Sequence, residues 1–255
     1  MGEERQPTDV EVLAELVEWY RKMKIDGLAF ADLMNSNKNP VLRERILKCW
    51  RTNGFNHTLD PKVAREIMGE NYIGLDSVRK ELKVAYTEEQ LYALMRGIPF
   101  STSTLERCAH SHILFPGYPL TIRDFMKMWP DFFNLSNFER HAREVIIDTP
   151  VETRWYLMSK SIVPGSNMKT YENQLGLLGD DEAVPKACEI VYASILYHLT
   201  NNGHIFLNYY VRCPELVGDG YMRHIGDFPS GRFDIDISRP DARRIDIGIA
   251  VLKTI

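Results

Sequence analysis

Hydrophobic positions change period along this chain. Toward the carboxyl end they alternate. Phe233, Ile235 and Ile237 fall on one parity and Arg232, Asp234 and Asp236 on the other, and Ile245, Ile247, Ile249 and Val251 repeat the pattern. A period of two places apolar side chains on one side of a sheet, which must then be covered on that side. Most of the preceding chain instead shows helical spacing. Val10, Leu13, Leu16, Val17, Tyr20 and Met23 line one face after a Thr8–Glu11 capping box, and Leu42, Ile46, Cys49 and Trp50 form another stripe after Asn39-Pro40. Asp60-Pro61, Asp76 and Thr87–Gln90 mark three further helix starts, and Thr121–Asp124 and Ser136–Glu139 mark later ones.

Between these helices, His110–Phe115 and Val151–Val163 read as strands closed by Pro-Gly pairs. Lys169–Leu178 reads as helix, and Pro185 opens a segment through Leu199 that is apolar nearly all round, so it should be the helix lying on the sheet. Strands are expected at His204–Cys213, Tyr221–Ile225, Arg232–Ile237 and Ile245–Leu252, joined as an antiparallel meander. The expected class is α+β: a helical N-terminal layer packed on one face of a mainly antiparallel sheet of about five strands. Residues 1–97 form the helical region and 98–255 the α+β region of one unit.

Seven phrases occur in order: Arg65-Glu66-Ile67-Met68-Gly69-Glu70-Asn71, Ile98-Pro99-Phe100-Ser101, Cys108-Ala109-His110-Ser111-His112-Ile113-Leu114, Pro119-Leu120-Thr121-Ile122, Trp155-x-Leu157-x-Ser159-Lys160, Tyr210-Val211-Arg212-Cys213 and Ile225-Gly226-Asp227-Phe228. Together they resemble a group of bacterial proteins of similar length that carries no assigned activity. The resemblance spans about residues 61–250 and implies a bacterial protein, with no functional residue to carry over.

Composition narrows the field. The 255 residues are 44% hydrophobic and 26% charged, as in soluble globular proteins. The net charge of −4 gives no whole-molecule attraction to nucleic acid or anionic membrane. No secretory signal, lipidation site or apolar run long enough to span a bilayer is read. Four cysteines without a CxxC pair fit buried thiols in a reducing compartment, so a cytoplasmic location is expected.

Three groups of residues invite chemistry. If Cys108, His110 and His112 share a strand, alternate positions share a face and could hold zinc, with Glu139, His141 or His204 completing the site. Asp234, Asp236 and Asp246 could hold magnesium for phosphodiester or phosphoanhydride hydrolysis, with Lys253 stabilising developing charge. The same aspartates occupy the polar half of an alternating pattern, where a solvated face puts its charges. Arg43, Arg45, Lys48 and Arg51 make a locally basic helix that could track phosphates. No catalytic constellation stands above these ordinary readings. A non-catalytic binding or interaction protein is therefore expected, through an unknown protein partner or self-association, with a metal-dependent hydrolase and a nucleic-acid-binding accessory protein as alternatives.

Overall fold

The computed structural model describes residues 59–134, 145–217, 220–226 and 232–254, all within one compact unit. The expected helices before residue 59 and at Ser136 lie outside the described residues.

The first described helices follow their start signals. Asp60 caps α1 (Pro61–Met68) by accepting the Lys62 N–H at 2.8 Å, and Gly69 ends it at φ 55°. In α2 (Leu75–Leu82) Asp76 lies in the first turn and Gly74 is the N-cap, so the cap expected at Asp76 sits two residues earlier. Thr87 and Gln90 form the capping box of α3 (Glu88–Met95). Ser101 caps α4 (Thr102–Cys108), and a Thr121/Asp124 box opens α5 (Ile122–Met128). Thr170 caps α6 (Tyr171–Leu175), which is shorter than the helix expected there. The long α7 (Ala187–Asn201) ends at Asn202 in the left-handed region.

The class is α+β, with two four-stranded sheets in place of one sheet of about five strands, and the helices do not form a distinct N-terminal layer. The first sheet has the order β1 (His112–Pro116), β2 (Trp155–Ser159), β8 (Leu252–Lys253), β3 (Glu182–Ala183), antiparallel throughout. The second has the order β6 (Asp234–Ser238), β5 (Tyr221–Gly226), β4 (Tyr210–Val217), β7 (Ile247–Gly248). Strands β4 to β6 make the expected meander, whereas β7 returns to the far edge and pairs parallel with β4. The strand expected from His204 begins only at Tyr210. The chain leaving α7 first reverses through Phe206 and Asn208, both at positive φ.

The carboxyl-terminal stretch joins the sheets. Ile247 and Gly248 pair with β4, and four residues later Leu252 pairs with β2 and β3. Between them, Ile249 O accepts the Val163 N–H at 2.8 Å and Val251 O accepts the Ser159 N–H at 2.9 Å. Ile247, Ile249 and Val251 are buried, but so are Gly248, Ala250 and Leu252 of the other parity, so this stretch is covered on both sides instead of facing solvent on one as its alternation predicts, and Ile245 lies before the strand and is exposed.

Helix α7 is buried along its length from Ala187 to Leu196 and touches both sheets. Tyr192 donates its hydroxyl to Pro116 O at 2.9 Å and stacks on Phe115 of the first sheet. Its first free N–H, at Ala187, donates to Glu215 of β4 at 3.0 Å. Ile190 and Ser194 line a small crevice with Ile225 of the second sheet and Phe233 just before β6. Each fully buried aliphatic side chain contributes on the order of 2 kcal/mol, so α7 binds the sheets into one core. Both faces of β2 are covered, and its five residues are all buried. Trp155 reaches back to donate to Leu94 O of α3 at 3.0 Å.

A Cβ at Gly248 would meet Ile162 Cδ1 at 2.6 Å and Ser166 Oγ at 2.7 Å. Ile162 and Ser166 are themselves buried and cannot swing away. Gly248→Ala is expected to cost about 1–3 kcal/mol in urea denaturation. The control Gly176→Ala, with nothing nearer than 3.7 Å, should stay within about 0.5 kcal/mol.

Candidate functional site

The second sheet turns one face to α7 and carries a row of charge on the other. Val211 pairs with Ile225 and Ile225 with Ile235, which sets the core face. One residue along, Arg212 pairs with His224 and His224 with Asp236, so these three share the opposite face. Residues 239–246 run across that row. Arg212, fully buried, donates through Nη1 to Pro240 O at 3.3 Å and through Nη2 to Ala242 O at 2.9 Å. Arg244 grips Asp246 with two bonds, Nε to Oδ1 at 3.1 Å and Nη2 to Oδ2 at 2.6 Å, while its Nη1 pairs with Asp236 Oδ2.

Arg244 thus joins two of the three sequence-predicted carboxylates, Asp236 and Asp246, and each oxygen of all three already accepts a hydrogen bond. Asp234 takes the Ile235 N–H at 3.0 Å and the Tyr210 hydroxyl at 3.2 Å. Asp236 takes the Ile237 N–H at 2.8 Å besides Arg244. Hydrogen bonds from Arg244 hold the Asp246 carboxyl below the usual range, and the same bonds push the Arg244 guanidinium up. A magnesium ion would have to displace a guanidinium bound on both sides. The arrangement suits anchoring of the chain better than metal-assisted hydrolysis.

His224 lies beneath this cluster. Burial first, then the neighbouring Arg212, lowers its pKa from 6.5 to about 4, so it is neutral at pH 7. Its Nε2 lies 2.8 Å from Ser238 Oγ. A nucleophilic serine would want a carboxylate orienting the other ring nitrogen. Nδ1 is buried with no hydrogen-bond partner among the described residues, and Ser238 is also within 3.3 Å of Arg239 O. Among the described residues the pair lacks the third member that would orient the imidazole as a base.

The zinc candidates separate along the chain. Cys108 is the last residue of α4, His110 is exposed in a turn, and His112 opens β1, so no shared strand aligns them. His112 Nδ1 pairs with Ser111 Oγ at 2.8 Å, and burial followed by Lys253 lowers its pKa to about 4. Burial also pushes the Cys108 thiol up, away from thiolate. Among the described residues no group of three or more His, Cys, Asp or Glu side chains is placed to hold a metal ion. Lys253 lies in the first sheet rather than beside the three aspartates, bonded to Asp181 at 3.0 Å and Glu182 at 2.9 Å. Arg43, Arg45, Lys48, Arg51, Glu139 and His141 lie outside the described residues.

Arg212, His224 and Ser238 were not singled out by sequence spacing. The available signal was parity: Arg212 and His224 each interrupt an apolar strand at a position shared with the carboxylates once the register is known. Comparison with protein-family models, with curated proteins and with solved structures found no match.

His224 and His112 both have folded-state pKa values below the ordinary 6.5, so the folded state disfavours their protonation. Their contribution is complete above about pH 6.5 and is lost as pH falls through 4, by about 3 kcal/mol for a group shifted that far. Denaturation free energy should drop over that window in the wild type, and drop less in His224→Asn. Addition of millimolar magnesium should leave the melting temperature unchanged, and a clear rise would restore the metal reading of Asp234, Asp236 and Asp246.

Proposed function

We propose that this chain is a binding protein that engages a protein partner through the surface around Met168 and Ile245. The carrying observation is that two large apolar side chains are held outward by fixed backbone. Met168 is 56% exposed and Ile245 71% exposed. Met168 sits at φ 58°, a region costly for an unbranched residue other than glycine or asparagine. Its N–H donates to Arg244 O at 2.9 Å, and the neighbouring Asn167 amide donates to Ile245 O at 3.2 Å. Backbone already fixed in place needs little further ordering on association. Methionine and arginine are enriched in such interfaces, and Arg244 with Asp236 and Asp246 supplies a half-exposed polar rim.

The partner reading needs no catalytic group, and it accounts for an Arg244 cluster whose oxygens serve the fold. We place the protein in the cytoplasm, a reading supported by Cys108, Cys188 and Cys213, which are buried as free thiols. Among the described residues no helix is long and apolar enough to cross a membrane.

The test is capture from an extract of the native cell by the full chain and by a Met168→Asp/Ile245→Asp variant. Aspartate tolerates the left-handed region, so the variant should keep its melting temperature. A protein, including a second copy of the chain, that is retained near stoichiometry by the wild type and lost from the variant is the expected result. Identical retention by both, or none by either, overturns the proposal.

A further inference from the structure

The segment that carries Ile245 covers the charged row without burying any large apolar side chain of its own. Arg239, Pro240, Asp241, Arg243 and Ile245 face outward and are exposed, while Ala242, Arg244 and Asp246 turn inward and are only half-buried. Beneath it, Arg212 and His224 are fully buried. The contacts that hold it down are polar: Arg212 to Pro240 O and Ala242 O, Arg244 to Asp236, the Tyr171 N–H to Pro240 O at 2.8 Å and the Met168 N–H to Arg244 O at 2.9 Å. Half-exposed ion pairs contribute little to stability and are screened by salt. Segments that lack buried apolar contacts open locally while the core stays closed.

We propose that residues 239–246 form a releasable strap, held shut electrostatically over the Arg212–His224–Asp236 row, whose opening uncovers the Arg212 guanidinium as a donor for an anionic group. Arg212 is then the residue that changes most. Closed, it serves two backbone carbonyls. Open, its guanidinium presents donors suited to a carboxylate or phosphate oxygen. The same opening removes the backbone that fixes Met168 and Ile245, so the closed strap and the apolar anchors belong to one state. The inference goes beyond the partner reading, and its test uses the chain alone, so either can fail without the other.

The amides of Met168 and Tyr171 report the strap, because their protons are bonded to its carbonyls. Their exchange with deuterium, followed by NMR on the full chain, is compared with that of Val191–Leu196 in α7. Raising salt to about 1 M should speed exchange of Met168 and Tyr171 about tenfold and leave α7 unchanged. Arg244→Gln at low salt should give the same result, and inorganic phosphate should perturb the Arg212 side-chain resonances more in that variant than in the wild type. Exchange of Met168 and Tyr171 at the α7 rate in every condition overturns the proposal, as does insensitivity to salt. The salt series on the wild type decides the matter even if Arg244→Gln does not fold.

Discussion

Burial of α7 against two sheets at once is the constraint on which this architecture rests. A helix apolar nearly all round cannot be satisfied by one sheet face. Here it is met by Phe115 on one side and by Ile225 and Phe233 on the other. The two sheets must then stay in fixed relation, and the stretch from Ile247 to Lys253 fixes it by pairing with β4 at one end and with β2 and β3 at the other. Gly248 is needed at that seam because the buried Ile162 and Ser166 leave no room for a Cβ.

The outer face of the second sheet follows from the same arrangement. With α7 occupying the inner face, the other parity of β4, β5 and β6 must be covered by something else. It carries Arg212, His224 and Asp236, which a greasy cover would leave unsatisfied. The chain covers them with backbone carbonyls and with Arg244. This explains how a fully buried guanidinium and a neutral buried histidine persist. It also leaves Met168 and Ile245 on the outside, beside the half-exposed rim.

Much of the fold was legible because it depends on local chemistry. The capping boxes at Thr87 and Thr121, the start at Asp60-Pro61 and the all-round apolar texture after Pro185 each report a structure made by neighbouring residues. The division into two sheets was not legible. Nothing in the alternation of Ile247, Ile249 and Val251 says that its two ends serve different partners. The site shows the same divide. Asp234 and Asp236 were visible as the polar half of a strand, but their meaning depends on Arg244 and Tyr210, brought near by pairing that the sequence leaves open. Cys108, His110 and His112 looked aligned only on the premise of one strand. Ser101 instead caps a helix that carries Cys108 away from that register.

Cysteine labelling tests the central claim most directly. Cys108 belongs to the helix beside the first sheet, Cys188 to α7 and Cys213 to the second sheet, and all three are buried. Reaction with an alkylating reagent, read residue by residue by mass spectrometry across a urea series, reports when each environment opens. One core organised by α7 predicts that the three thiols become reactive with a common midpoint. Labelling of Cys213 at urea concentrations that leave Cys108 protected would show that the sheets come apart independently, and would contradict the account.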